Sequence, residues 1–331
     1  MSVITAFGKL MKLFMLTEYI HNNKVISAND SVDTEAVINE FIRSQDIRPS
    51  SRKTYAAGLR RFFRWVTGSR RNLNNMTVAD IVGYKDFLLN EVISPLTVSS
   101  YIVSVRRFYE WIESTGSYPD IAKSVKVPKR TGGFIKQHLT IDEGRKLLQY
   151  LKEKGNKRNL AMINLILHTG LRTIEVARAN VKDITVKRGK TILKVWGKGH
   201  DTSDTIVVLT DGVYALIQEY LEERPGLKDT DPLFVTDGKG HRQGRMATRT
   251  IQKICKDSLE AIGLTGHEYS AHSLRHTAAV TLLLNGATML DVQRVMRHQS
   301  INTSQIYTAS IEGDLRIDQA PEEILRNTFR I

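Results

Sequence analysis

The sequence predicts a mainly α-helical protein with a small antiparallel β-sheet, divided into two domains. Apolar side chains recur at helical spacing through most of the chain, whereas the alternation typical of strands is confined to residues 184–209. A stretch rich in proline, glycine and basic residues interrupts both patterns at 119–137. The 331 residues are enough for two hydrophobic cores. We therefore expect an N-terminal extension, a helical domain, a basic linker, a domain that carries the sheet, and a tail helix, at residues 1–30, 31–118, 119–137, 138–310 and 311–331.

Composition points to a nucleic-acid partner. Lysine and arginine number 48 against 35 aspartate and glutamate, which gives a net charge of +13. Such an excess also suits a merely soluble surface, but here the basic residues cluster beside aromatic residues, which favours a polyanion. The single cysteine, Cys255, excludes an intramolecular disulfide and a cysteine-rich zinc site, and it suits a reducing, cytoplasmic compartment. The apolar piece Leu10–Ile20 is too short and too charged to span a bilayer, so no membrane association is expected.

The first domain is predicted to contain four helices. Three of them span Thr34–Ser44, Ser50–Val66 and Val78–Glu91, and the fourth begins near Pro95. Thr77 is a candidate N-cap. One side of this domain is basic and carries Lys53, Arg60, Arg64, Arg70, Arg71, Arg106 and Arg107. Any one of these is most simply a solvated charge, but as a set they fit a clamp on a phosphate backbone.

The linker adds Lys129 and Arg130, and a linker of this charge can lie along a nucleic acid. In the second domain, a basic patch is predicted between two further helices, Val213–Glu222 and Thr248–Ile262. It consists of Lys239, His241, Arg242, Arg245 and Arg249.

The second domain begins with helices and then changes period. A helix starts at Thr140, and a buried helix over Ala161–His168 turns at Thr169-Gly170 into another helix. That last helix carries Arg172 and Glu175, a spacing usually found in an ordinary ion pair. Three strands follow, at Ile184–Lys187, Thr191–Trp196 and Thr205–Leu209. Lys198 lies between two glycines in the second connection, where a lysine is most often a solvated turn residue but can also swing into a site.

Residues 271–310 hold the densest set of chemically useful side chains. Two segments with helical spacing are separated by a predicted C-cap turn at Asn285-Gly286. His272, Arg275, His298 and Tyr307 recur at the ends of these segments, so their side chains are expected to converge on a cleft. Taken singly, the two histidines are more simply structural, Arg275 a salt-bridge partner and Tyr307 an aromatic residue on a helix surface. We interpret His276 as structural and His200 as a residue of the loop surface.

Taken together, these scattered residues resemble a known set. Arg172 in Thr-Gly-Leu-Arg, Lys198 in a loop between strands, His272-x-x-Arg275, His298 and Tyr307 match in order and spacing the catalytic residues of the tyrosine recombinase (phage integrase) family. The resemblance covers residues 138–307. The helical domain before them is similar to that family's SAM-like core-binding domain, which implies a two-domain DNA clamp. One departure is visible: Arg297 precedes His298 where the family usually has glycine, which leaves the turn and its packing open.

The resemblance implies a mechanism without metal or other cofactor. Tyr307 would attack the phosphodiester and carry the broken strand, while Arg172 and Arg275 clamp the nonbridging oxygens. Lys198 would protonate the leaving 5′ oxygen and His272 would assist proton transfer. His298 would hydrogen-bond the phosphate, and we expect Glu175 to orient its neighbours.

The resemblance also implies partners. Double-stranded DNA with specific recombination sites would be bound by a homo-tetramer that exchanges strands through a Holliday junction. The tail helix would either fold back on its own domain or, as the resemblance favours, dock on a neighbouring protomer. Accessory DNA-bending or directionality proteins are further expected partners, and the role would be integration or excision of a mobile element or resolution of DNA multimers. Only about 30 residues precede the helical domain, so no arm-binding domain is expected. The alternatives are a type IB topoisomerase and a catalytically silent DNA-binding regulator.

Overall fold

The structure is a computed structural model, and it describes residues 34–91, 93–128, 137–196, 205–236, 244–298 and Tyr307. Contacts divide the chain into two compact units, Met1–Gly133 and Phe134–Ile331, and each is described by itself. The N-terminal extension, the tail helix and part of the linker lie outside the described residues. The predicted boundaries of the five segments stay a prediction.

The described part of the first unit is a four-helix arrangement. Its helices are α1 (Thr34–Ser44), α2 (Pro49–Gly68), α3 (Val78–Asn90) and α4 (Pro95–Ser114). Local sequence sets where two of them begin. Thr77 and Asp80 form a capping box at the start of α3, and the Ser94 side chain accepts from the Thr97 amide before Pro95 opens α4.

Aromatic side chains form the centre of the first unit's core. Phe41, Phe62 and Tyr84 are fully buried. The rings of Phe62 and Tyr84 meet edge to face with centroids 5.1 Å apart, and Phe41 meets Phe108 in the same way at 5.8 Å. Because these rings come from all four helices, the unit has one continuous core.

The second unit combines seven described α-helices with a three-stranded sheet. The helices are α5 (Ile141–Glu153), α6 (Lys157–Thr169), α7 (Thr173–Arg178), α8 (Asp211–Glu222), α9 (Thr248–Ala261), α10 (Ala271–Leu284) and α11 (Met289–Met296). The strands are β1 (Ile184–Lys187), β2 (Lys190–Val195) and β3 (Thr205–Val208). The predicted fold class, mainly helical with a small antiparallel sheet, is confirmed.

The sheet is antiparallel in the order β1-β2-β3. Lys187 pairs with Lys190 across a two-residue turn at Arg188-Gly189, where both residues have positive φ, as a tight hairpin requires. Leu193 of the central strand pairs with Val207 and is buried, so one face of the sheet joins the core.

Two helices of the second unit are interior. Residues 161–166 of α6 are buried on every side, and α6 packs against α5, α8 and α10. Residues 273–280 of α10 are likewise buried. This arrangement places the C-terminal end of α6 beside both α10 and α11. None of the helices in the described stretches has the length and apolar character needed to cross a bilayer.

Candidate active site

The C-terminal end of α6 is the base of the site. Gly170 adopts the left-handed conformation (φ 58°) and caps the helix, its amide donating to the Ile166 carbonyl over 2.8 Å. The chain then reverses, and Arg172 becomes the N-terminal flank of α7. The carbonyls at the end of α6 attract cations, because this end of a helix carries partial negative charge.

Glu175 is a buried carboxylate between two arginines. Its side chain is 2% exposed. Oε1 accepts from Nη1 of Arg172 over 2.9 Å, and Oε2 accepts from the Arg172 amide over 2.7 Å and from Nη2 of Arg297 over 3.0 Å. Burial alone would raise the pKa of Glu175, but the charge of Arg297 and the hydrogen bonds and charge of Arg172 together lower it. The predicted pairing of Arg172 with Glu175 is therefore present, with a third member.

Arg275 is buried and holds three elements together. Its guanidinium donates to the Gly170 carbonyl at the end of α6 and to the Met296 carbonyl at the end of α11. Nη2 also lies 3.0 Å from Nε2 of His298. Burial and the nearby charge of Arg172 lower the pKa of Arg275 to about 10, which still leaves it charged at neutral pH. A planar fork with several donors is needed for this set of acceptors.

His298 is a buried, neutral imidazole. Burial, followed by the charges of Arg275, Arg172 and Arg297, lowers the pKa of His298 to about 4. Because a guanidinium can only donate, we assign Nε2 as the acceptor and place the ring proton on Nδ1. His298 is therefore neutral at neutral pH and carries its single ring proton on Nδ1.

This lowered pKa predicts acid sensitivity. The unfolded chain takes up a proton near pH 6.5, whereas folded His298 resists protonation until about pH 4. Stability should therefore fall as the pH drops through this window, by about 2 kcal/mol between pH 6.5 and 4.5. Chemical denaturation of the wild type and of His298→Asn at both pH values measures it. The variant should lack this component, and equal pH dependence in the two proteins would contradict the assignment.

Tyr307 packs against two imidazoles. Its ring centroid is 4.9 Å from that of His276 and 5.7 Å from that of His298, with the His298 ring nearly parallel. The phenol is thus adjacent to a histidine that Arg275 contacts directly. From the sequence we interpret His276 as a structural residue. In the structure its ring contacts the candidate nucleophile, Tyr307.

The other two predicted catalytic residues are placed differently. His272 occupies the first turn of α10, one turn before Arg275, and is exposed. Lys198 lies outside the described residues. The structure thus brings together Arg172, Glu175, Arg275, His298 and Tyr307, and it adds Arg297, which the sequence indicates only as a departure from glycine.

The residues predicted to bind DNA differ in their surroundings. Lys53 and Arg64 are exposed on α2, and Arg106 is half-buried on α4. Two others carry carboxylate partners, Arg60 with Glu35 at 2.7 Å and Arg107 with Glu110 at 2.8 Å. Exposed pairs of this kind contribute about 0–1 kcal/mol, so a phosphate can replace the carboxylate at little cost.

In the second unit, Arg245 has a structural task. Its guanidinium donates to the Ala177 carbonyl over 2.9 Å and to the Asn180 side chain, so it braces the segment after α7. That task competes with the predicted DNA contact. Lys129, Arg130 and Arg242 lie outside the described residues.

Gly170 resists substitution for two reasons that a control can separate. A Cβ there would lie 2.8 Å from Sδ of Met296, which is fully buried, and the positive φ disfavours any side chain. Gly170→Ala should therefore lower the free energy of unfolding by about 1–3 kcal/mol. Gly155→Ala is the matched control, since Gly155 has φ +68° with open space around it. Chemical denaturation should show a smaller loss there; equal losses would mean that Met296 yields freely.

The arrangement has the chemistry of an anion site with a nucleophile. Two guanidiniums hold one carboxylate, a third contacts a neutral imidazole, and a phenol lies against that imidazole. Fixed guanidiniums in a buried setting stabilise negative charge that develops on phosphate oxygens.

Comparison with known proteins gives matches to both units. Residues 137–313 match the Phage integrase family, and residues 36–117 match the phage integrase N-terminal SAM-like domain. A tyrosine recombinase XerC from Caldanaerobacter subterraneus subsp. tengcongensis is 35% identical over 182 residues, which cover 54% of this chain and 49% of the relative. A tyrosine recombinase XerD from Caulobacter vibrioides is 32% identical over 197 residues, covering 57% of this chain and 62% of the relative. The chain thus spans about half the length of the XerC relative.

A solved structure of similar fold is the XerH site-specific recombinase bound to a palindromic difH substrate in a post-cleavage complex. It matches with a TM-score of 0.70 and 23% identity, covering 96% of this chain and 89% of that chain. The pre-cleavage complex of XerH matches with a TM-score of 0.66 and 22% identity, covering 94% of this chain and 95% of that chain. At this identity the likeness concerns the fold.

Proposed function

Because the chain belongs to the phage integrase family of tyrosine recombinases, we propose that it is a site-specific DNA recombinase that cleaves and rejoins strands through Tyr307. The observation that carries the proposal is the contact series in the second unit. Tyr307 packs on His298, His298 lies 3.0 Å from a nitrogen of Arg275, and the charge of Arg172 acts on Arg275. A phenol beside paired guanidiniums suits attack on a phosphodiester.

The proposed step conserves the energy of the phosphodiester bond in a covalent link between the protein and the DNA. The Tyr307 oxygen bonds to phosphorus as the bond from phosphorus to the 5′ oxygen breaks, which gives a 3′-phosphotyrosine link. The phenolic proton leaves with help from His272, and Lys198 supplies a proton to the 5′ oxygen. Arg172 and Arg275 offset the charge on the nonbridging oxygens, while His298 donates a hydrogen bond to one of them. Rejoining reverses these transfers with a new 5′ hydroxyl.

The substrate class that fits is double-stranded DNA with defined recombination sites. Within the first unit, Lys53, Arg60, Arg64, Arg106 and Arg107 would contact the phosphate backbone, and Lys129, Arg130, Arg242 and Arg245 would extend the contact. The net charge of +13 supports a polyanionic partner. We further propose a homo-tetramer on two sites, joined through the segment 311–331, that resolves a Holliday junction with accessory DNA-bending or directionality proteins, in the cytoplasm. The role would be movement of a mobile element or resolution of DNA multimers.

Covalent capture tests this function with DNA whose sequence is left open. The full chain is incubated with a pool of nicked duplexes of random sequence and then denatured. We expect DNA that stays attached to protein, a nucleotide adduct on Tyr307 by mass spectrometry, and one recurring sequence among the captured duplexes. Absence of any adduct would favour a silent DNA-binding regulator. Adducts without a common sequence, together with relaxation of any supercoiled plasmid, would favour a type IB topoisomerase.

A further inference from the structure

We propose that Arg297 is a positioning residue for strand cleavage, acting through Glu175 to fix the guanidinium of Arg172. This inference rests on the proposed function and deepens it. In the family that the chain belongs to, the residue before the active-site histidine is usually glycine. The arginine found here is therefore a feature of this chain's own site.

The backbone at Arg297 shows why glycine would suit the position. Arg297 ends α11 in the left-handed conformation with φ 54°, which side-chain-bearing residues adopt rarely. The same turn carries His298, whose amide donates to the Gln293 carbonyl over 3.1 Å. An arginine thus occupies a place where the main chain favours glycine, and the contacts of its side chain offset this local strain.

Those contacts join three elements of the second unit. Nη1 donates to the Thr169 carbonyl over 3.2 Å and to the Val295 carbonyl over 2.6 Å. Nη2 donates to the Gly170 carbonyl over 3.0 Å and to Oε2 of Glu175 over 3.0 Å. The side chain is 7% exposed, so these bonds are shielded from water. The guanidinium therefore ties the turn before His298 to the end of α6 and to α7.

Glu175 connects Arg297 with Arg172. Oε1 accepts from the Arg172 guanidinium, and Oε2 accepts from the Arg297 guanidinium and from the Arg172 amide, so the two guanidiniums hold different oxygens of the carboxylate. A carboxylate held at both oxygens cannot rotate freely, and it presents Oε1 to Arg172 in one orientation. Without Arg297, Oε2 loses a charged donor and keeps its bond from the Arg172 amide. The Arg172 fork would then be less firmly oriented.

Arg297 also changes the charge balance around the Arg172 guanidinium. Glu175 carries one negative charge and lies against Arg172 and Arg297 together. With Arg297 present, that charge is shared between two cations, so Arg172 keeps more of its positive potential for a phosphate. Glycine at 297 would leave Glu175 to neutralise Arg172 alone. Both the orientation and the potential of Arg172 therefore depend on this side chain.

A purely structural cap is the competing explanation, and its features differ. A cap needs only the carbonyl contacts at Thr169, Val295 and Gly170. The ion pair with Glu175 adds nothing to capping, and the Nε of Arg297 is buried without a hydrogen-bond partner among the described residues. If Arg297 is only a cap, removing Arg297 and removing the Glu175 charge should change the cleavage rate independently of each other. If Arg297 acts through Glu175, the two changes should not have additive effects on the cleavage rate.

The test uses Arg297→Gly and Arg297→Lys in the full chain, with the nicked duplex that wild type captures from the random pool. Glycine adopts the left-handed conformation without strain, so we expect Arg297→Gly to fold. We expect the single-turnover cleavage rate of Arg297→Gly at saturating duplex to fall about 10–100-fold. The dissociation constant for the same duplex should stay within about threefold. Arg297→Lys, which keeps the charge, should recover part of the rate.

Two controls make the result specific. Arg294→Met removes an exposed arginine of the same helix that pairs with Asp291, and it should leave the rate within about twofold of wild type. In the Glu175→Gln background, adding Arg297→Gly should slow cleavage little further. If the double variant showed the sum of the two single losses in cleavage rate, or if Arg297→Gly cleaved at the wild-type rate, the inference would be overturned. Both outcomes presuppose that the wild type forms the adduct. Absence of any adduct with the wild type would instead overturn the proposed function.

Discussion

Replacement of Tyr307 by phenylalanine is expected to abolish covalent attachment to DNA. The change removes one oxygen, which is the proposed nucleophile, and leaves the ring that packs against His276 and His298. A substitute nucleophile would have to reach the same position beside the guanidiniums, so the cleavage rate should fall by a factor on the order of 10⁴ or more. Denaturing gels with end-labelled captured duplex measure the adduct directly.

Binding and stability provide the controls for this variant. Tyr307→Phe should bind the same duplex as tightly as wild type and should stay folded under the assay conditions, because the packed ring is unchanged. Tyr214→Phe, which removes a hydroxyl from α8 in the same unit, should retain full adduct formation. An adduct of normal yield with Tyr307→Phe would transfer the nucleophile to another residue and end the proposed mechanism.

Replacement of Arg275 by lysine is expected to damage both stability and cleavage. A lysine keeps the charge but has one nitrogen, which cannot reach the carbonyls of Gly170 and Met296 and also approach His298. Buried acceptors left without donors should lower the free energy of unfolding by about 2–4 kcal/mol. Loss of a fixed guanidinium beside the phosphate should slow cleavage by about 10²–10³-fold.

Arg158, another buried arginine, is the control that separates the loss of stability from the loss of cleavage rate. Arg158 is 7% exposed, lies in the same unit and donates to the Val235 carbonyl over 3.1 Å. Arg158→Lys should destabilise the protein comparably while folded protein cleaves at nearly the wild-type rate. Chemical denaturation and single-turnover cleavage below the unfolding transition measure both quantities. Equal cleavage losses in the two variants would mean that Arg275 acts through stability alone.

Local signals explain how much of the fold could be predicted from the sequence. The predicted bounds of α1 and β1 agree with the structure, and Thr77 and Thr140 both form capping boxes at the predicted helix starts. These features depend on residues within one turn of each other, which a sequence displays directly. The pairing of Arg172 with Glu175 belongs to the same class, since it spans three residues.

Contacts between distant residues explain what could not be predicted. Arg297 is visible in the sequence only as a departure from glycine, because its partner Glu175 precedes it by 122 residues. His276 follows Arg275 in the chain, yet its ring contacts that of Tyr307, a residue far from it in the sequence. The shared use of the Gly170 carbonyl likewise has no local signature. Spacing within a helix indicates which side chains share a face. It does not reveal which residues of other elements pack against that face.

The carbonyl of Gly170 makes this site depend on residues that the ribosome adds much later. It accepts from Arg275 and from Arg297, which follow it by 105 and 127 residues. Ribosomal synthesis therefore releases α6 long before either arginine exists, and a nascent chain has the acceptor without its donors. The proposed strand cleavage therefore requires that α10 and α11 have been synthesised and have packed against the end of α6.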